Sequence, residues 1–136
     1  MSKFIKEKGQ KILYTIILSF TLMLPVVANA ASYKGLSYSL KAHLSGSTRS
    51  YASGTIKVKT YNCTTENNGY SPADNIFTIS LYKDGFWSDT CIGSATYQRT
   101  SSTTQSWTNM SSGKYYISIS KTTDGCRIKG NIDITQ

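Results

Sequence analysis

The sequence predicts an all-β domain, an antiparallel β-sandwich of about seven strands, with a barrel as the alternative arrangement. Three observations lead there. Apolar residues recur with a period of two in several short stretches. Clusters of Gly, Asn, Asp and Ser separate those stretches. No run carries convincing helix periodicity, and past the first 30 residues Ser, Thr, Tyr and Gly outweigh the good helix formers.

The expected strands follow in order. Residues 36–44, LSYSLKAHL, alternate strictly, with Leu36, Tyr38, Leu40, Ala42 and Leu44 on one face. A loop, SGSTRSYASG, follows. Residues 55–62 set Ile56 and Val58 against Lys57, Lys59 and Tyr61. The polar loop CTTENNGYSPAD contains Gly69 and Pro72 as breakers. Residues 75–83 carry Phe77, Ile79 and Leu81 on one face. After DGFWSDT comes a weaker strand at 91–98, where Gly93 lowers the propensity. RTSSTTQS, at 99–106, reads as a loop because its hydroxyls compete for backbone bonds. A short strand surrounds Trp107. The last two strands, within 113–134, read as one hairpin closed by a two-residue turn at Asp124-Gly125. In that register Tyr115, Ile117 and Ile119 share a face with Ile132 and Ile134. Trp107, Tyr97, Phe77 and Tyr115 are the expected bulky core residues.

The first 30 residues read as an address. Lys3, Lys6, Lys8 and Lys11 precede an apolar run at 12–27, and Ala28-Asn29-Ala30 is a small-x-small cleavage site. That is the pattern of a secretory signal peptide, residues 1–30, expected to be cleaved and to leave a single domain at 31–136. The long lysine-rich leader is similar in style to those of Gram-positive bacteria. Removing its four lysines and one glutamate takes 15 basic and 7 acidic side chains to 11 and 6, a net charge of +5. The expected location is therefore outside the cell, secreted or associated with the wall. The charge suits an anionic wall polymer or a membrane surface, and nucleic acid is not an expected partner.

Cys63, Cys91 and Cys126 are an odd number for an exported chain, which predicts one disulfide and one free thiol. If successive strands reverse direction, Cys63 and Cys126 share one end of the domain and Cys91 sits at the other. The expectation is a Cys63–Cys126 disulfide with Cys91 free. No CxxC or other zinc spacing exists, so no metal or cofactor is expected.

The residue inventory argues against an enzyme. His43 is the only histidine and lies on the polar side of an alternating strand, and there is no GxSxG elbow. The six acids outside the leader are scattered. Asp84 and Asp124 stand in Asp-Gly turns, where Asp serves backbone geometry. Asp84 and Asp89 flank one loop without an EF-hand pattern.

Binding has more support. Lys57 and Lys59 share an outer face, as do Arg127 and Lys129, and these four with Tyr61 or Tyr116 would form a basic, tyrosine-bearing patch if their strands share a sheet. Phe86 and Trp87, adjacent in DGFWSD, form a second candidate, an aromatic loop tip able to anchor a partner.

LYKDGFWSDTCIGSATYQ and WTNMSSGKYYISISK resemble small exported bacterial β-sandwich modules that end in a W-x-N…G-x-Y-Y hairpin. The resemblance brings no catalytic residue. The expected function is non-enzymatic binding of a cell-surface glycan, an anionic wall polymer or a protein. A cationic antimicrobial or toxin-like protein is the first alternative. A protease inhibitor presenting TTENNGYSPA is the second.

Overall fold

The computed structural model describes residues 30–136. The expected signal peptide falls almost wholly outside the described residues. Nine strands follow one another: β1 (Ser32–Leu40), β2 (His43–Ser45), β3 (Arg49–Tyr51), β4 (Gly54–Glu66), β5 (Ile76–Lys83), β6 (Thr90–Gln98), β7 (Thr103–Met110), β8 (Gly113–Ser120) and β9 (Arg127–Thr135). They form a β-sandwich of two antiparallel sheets. One has the order β1-β9-β4-β7, and the other β2-β8-β5-β6, with β3 sharing the β2 edge of β8.

The expectation of about seven strands differs from nine for two reasons. The alternating run at 36–44 is divided between the sheets: β1 pairs with β9, the chain bends at Lys41-Ala42, and β2 pairs with β8. Its strict alternation persists because both halves turn an apolar face to the same interior. Residues 49–51, expected in a loop, add a short edge strand whose Tyr51 is buried.

The expected terminal hairpin is not formed. β8 pairs with β2, β3 and β5, whereas β9 pairs with β1 and β4. Residues 121–126 carry the chain across the end of the sandwich from one sheet to the other. Tyr115, Ile117 and Ile119 therefore belong to the opposite sheet from Ile128, Ile132 and Ile134. All six are buried. The apolar parity of two consecutive strands is the same for a hairpin and for an arch, so alternation alone does not separate them.

The interior is filled by alternate residues of both sheets. Ile56, Val58, Ile79 and Tyr97 are completely enclosed. Phe77 stacks on Tyr97 with ring centroids 5.7 Å apart and lies 5.8 Å from Tyr38. The Tyr97 hydroxyl donates to the Val58 carbonyl at 3.2 Å, so its one polar atom is satisfied inside the core. Burial raises the pKa values of Tyr38 and Tyr97 well above that of a free phenol. Trp107, half-buried, closes the β6–β7 edge. Its Nε1 lies 3.3 Å from where a Cβ on Gly93 would stand. The opposite edge, between β1 and the short β2 and β3, is looser and bounds a cleft described below.

Candidate functional site

The three cysteines are all free thiols, so the expected Cys63–Cys126 disulfide is absent. β4 does end beside the start of β9, with Glu66 opposite Arg127. What differed is the length of β4. It runs through a bulge between Tyr61 and Thr64, where Asn62 adopts φ of 51°, and continues to Glu66. Cys63 therefore lies inside the strand, near Gly130. Four residues of β9 separate that position from Cys126, about 13 Å along a strand, against the roughly 7 Å Cα separation a disulfide tolerates. The bulge also turns Cys63 inward, where its Sγ accepts a 3.3 Å hydrogen bond from the Tyr38 hydroxyl. Cys126 is fully buried and directs its thiol at the Asn67 and Tyr70 carbonyls, 3.9 and 3.7 Å away. Cys91 is exposed on the other sheet, opposite Tyr82.

The basic patch is only partly assembled. β4 and β9 are neighbours, so Lys57, Lys59, Tyr61, Arg127 and Lys129 do share a sheet. Tyr116 does not, because β8 belongs to the other sheet. Acids also interleave the cations. Lys129 is ion-paired with Glu66. Lys59 pairs across the strands with Asp133, whose Oδ1 accepts from the Tyr61 hydroxyl at 3.1 Å. Arg127 donates to Ser39 Oγ at 3.1 Å. Lys59 stands 5.9 Å over the Tyr61 ring. Among the described residues only Lys129 of the four cations is ion-paired, and Glu66 and Asp133 interrupt the face, so it is not a continuous basic surface, which weakens its pull on a polyanion.

The β5–β6 loop is the more distinctive feature. Phe86 and Trp87 are 91% and 92% exposed, and their rings meet edge to face with centroids 4.9 Å apart. Solvent exposure of two adjacent large aromatics carries a free-energy cost that a freely folding loop would relieve by laying them onto the sandwich. The loop's feet prevent this. Asp84 N donates to the Lys114 carbonyl at 2.9 Å, and Gly85 N donates to Asp89 Oδ1 at 3.2 Å. Asp89 Oδ2 accepts from the Tyr116 hydroxyl at 2.8 Å, and Tyr116 stacks on Tyr82 at 5.2 Å with an interplanar angle of 8°. A Cβ on Gly85 would stand 2.1 Å from the Ser88 carbonyl oxygen, so the turn closes too tightly for any other residue. The bond to Asp89, together with burial, pushes the Tyr116 pKa up to about 12, so this brace keeps its proton at any physiological pH.

The other end of the sandwich is built from buried charge. Arg99 is 1% exposed. Its Nε donates to the Ile76 carbonyl at 2.9 Å and its Nη1 to Asp124 Oδ2 at 2.7 Å. Nη2 lies 3.0 Å from Asp74 Oδ1, a close ionic contact off the line of a hydrogen bond. Lys121, its side chain fully enclosed, pairs with the second oxygen of Asp124. Asp124 also accepts from the backbone N–H groups of Ala73 and Cys126, both at 3.1 Å. Burial opposes ionisation of Asp124, but the hydrogen bonds from Lys121, Arg99 and the two backbone groups outweigh it and hold its pKa well below the usual carboxylate range. Asp74 is lowered as well, first by the hydroxyl of Thr122 and then by the N–H of Ile76. In the sequence Arg99 opens a hydroxyl-rich loop and Asp124 an Asp-Gly turn, so nothing there marks this cluster. Its members are far apart in the chain and share no local signal.

Among the described residues no group of three or more His, Cys, Asp and Glu side chains could hold a metal ion. His43 is exposed, and its Nε2 hydrogen-bonds with Ser118 Oγ at 2.8 Å. The acids of the β5–β6 loop are divided, with Asp89 engaged by Gly85 and Tyr116.

No protein-family model matches the sequence. No curated protein matches it either. Among solved structures the chain is similar to PliG of Aeromonas hydrophila, a periplasmic lysozyme inhibitor of g-type lysozyme. Identity is 14%, the match covers 81% of this chain and 89% of that one, and the TM-score is 0.43. A likeness so distant does not bear on function.

Proposed function

We propose that this domain is an exported, non-enzymatic binding module that seats the Phe86–Trp87 tip in a pocket of a partner protein. The observation that carries the reading is the pair of aromatic rings, each more than nine-tenths exposed, held away from the sandwich by a loop anchored at both feet. Such a tip loses little conformational freedom on binding, because Gly85, Asp89 and Tyr116 have already ordered it. Trp is among the residue types that dominate binding energy at protein interfaces, and Phe is enriched in their cores.

The chemistry around the tip favours a protein over the other partners. A glycan platform needs ring faces side by side, and these rings stand at 88° to each other. An anionic membrane or wall polymer calls for cations beside the aromatics, and here Asp84 and Asp89 stand nearest, while Lys83 is turned to Ser111 Oγ and the Tyr115 ring. The leader pattern at residues 1–30 supports export.

The test is affinity capture of surface and secreted proteins on the immobilised domain, with a Phe86→Ser, Trp87→Ser double variant beside it. A protein retained by the wild type at 0.5 M salt and lost with the variant supports the reading. Retention unchanged in the variant and abolished by salt would instead locate binding on the Lys57–Lys59 face. Failure of any protein to depend on the two aromatics sinks the proposal.

A further inference from the structure

The two long edges of the sandwich are finished differently. At the β6–β7 edge Trp107 lies over Gly93 and fills the gap. At the opposite edge the outer strand of one sheet is made of two short pieces, β2 and β3, separated by residues 46–48. The interruption leaves a cleft of about 290 Å³ between the sheets. Its floor is formed by Ile117, Ile119, Ile132 and Ile134, with Leu36 and Leu44 at the sides. The four isoleucines are at least 95% buried, whereas the two leucines are half-buried and flank the opening.

One charged group stands at the mouth. Arg49 lines the cleft beside Ser45 and Ser47. Its guanidinium lies 4.8 Å over the Tyr33 ring and donates to the Ser47 carbonyl at 3.2 Å, which fixes its position. Among the described residues Arg49 has no carboxylate partner, as is also true of Lys57, Lys59 and Arg127, and it is the charged side chain that lines the cleft. A guanidinium offers five donors, and one bond to a carbonyl leaves most of them free.

We propose that this cleft binds a small amphiphilic monoanion, an alkyl carboxylate whose chain lies against Leu36, Leu44 and the four isoleucines and whose carboxylate meets Arg49. The site is separate from the Phe86–Trp87 tip and does not depend on the reading given for it. Arg49 supplies the charge complementarity, since a planar guanidinium accepts a carboxylate through two parallel hydrogen bonds. Size sets the chain length. A dry apolar cavity of 150 Å³ holds benzene, so 290 Å³ accommodates roughly eight to ten carbons.

The test is titration of the protein with sodium hexanoate through dodecanoate below their micelle concentrations, read by the ¹³C-methyl NMR shifts of Leu and Ile. Shifts should concentrate at Leu36, Leu44, Ile117 and Ile119. Affinity should rise about fourfold per methylene and level off near ten carbons. Decanol should bind about tenfold more weakly than decanoate, and Arg49→Gln should erase that difference. Leu44→Trp, which fills the cleft, should abolish binding, and Leu36→Trp serves if that variant does not fold. Three results would overturn the proposal: no methyl shift with millimolar decanoate, equal affinity for decanol and decanoate in the wild type, or binding that survives the filled cleft. Methyl shifts that follow protein concentration without ligand would assign the cleft to a second copy of the chain and overturn it too.

Discussion

The two ends of this sandwich treat solvent in opposite ways. At the end where β5, β6 and β8 begin or finish around Lys83, Thr90 and Gly113, two apolar rings are pushed into water. At the end around residues 74, 99 and 121–124, four charged side chains gather, and those of Arg99, Lys121 and Asp124 are withdrawn from water. Each arrangement is costly alone. The buried charges are stabilised by one another, through ion pairs and two backbone N–H groups, so that end is complete within the fold. Among the described residues nothing covers the aromatic tip. The charged cluster is satisfied within the fold, and the exposed aromatic pair is the feature on which the proposed binding role rests.

The contrast can be broken most severely at the charged end. Asp124→Asn keeps the shape and removes the charge, leaving Lys121 buried without its counter-ion and Arg99 with Asp74 alone. The expected loss of stability is about 3–5 kcal/mol, read by urea unfolding. The same residue sets the acid limit. Its folded pKa is depressed, so its contribution is fully present above the unfolded carboxylate value near pH 4 and is lost as pH falls towards the folded value. Urea midpoints should therefore be flat above about pH 5 and decline below it, and the decline should be shallower in Asp124→Asn.

At the aromatic end the signs reverse. Trp87→Ala should leave stability within about 0.5 kcal/mol, as for other exposed positions, while weakening capture of a tip-dependent partner by about 30-fold. Gly85→Ala lies between the two cases. It keeps both rings but cannot keep the turn, so capture should fall with a stability loss of about 1–3 kcal/mol. The smallest effect concerns the thiols. A thiol reagent should label Cys91 rapidly in the native protein and all three cysteines after unfolding without reductant. A native count of one that stays at one on unfolding would restore the disulfide.

Where the sequence was legible, the reason was local. Period-two alternation and breakers placed β5 within one residue, and DGFWSD marked the tip by its own composition. Tyr97, Phe77 and Tyr115 were identifiable as core because parity survives any choice of partner strand. Partner choice itself was not legible. The turn at Asp124-Gly125 has the composition of a hairpin, yet it lies in an arch, where Asp124 is held by Arg99 and Lys121. The bulge at Asn62 was equally silent. It changed the parity of everything after it and so moved Cys63 from an outer face to the interior. The Arg99 cluster needed residues 74, 99, 121 and 124 to be brought together by the two sheets, and no window of sequence contains them all.

The arch between β8 and β9 also sets a timetable. β9 is the C-terminal strand of the sandwich, and it lies between β1 and β4, which do not pair with each other. Until it arrives, β1 has no neighbour in its sheet, and the sheet that carries Ile56 and Val58 is reduced to β4 and β7. Assembly must therefore wait for contacts between the two extremes of the domain, the kind of long-range pairing that makes β-proteins slow to fold. A chain whose last strand is held back lacks the centre of one sheet, and the sandwich closes only when residues 127–135 are free to enter it.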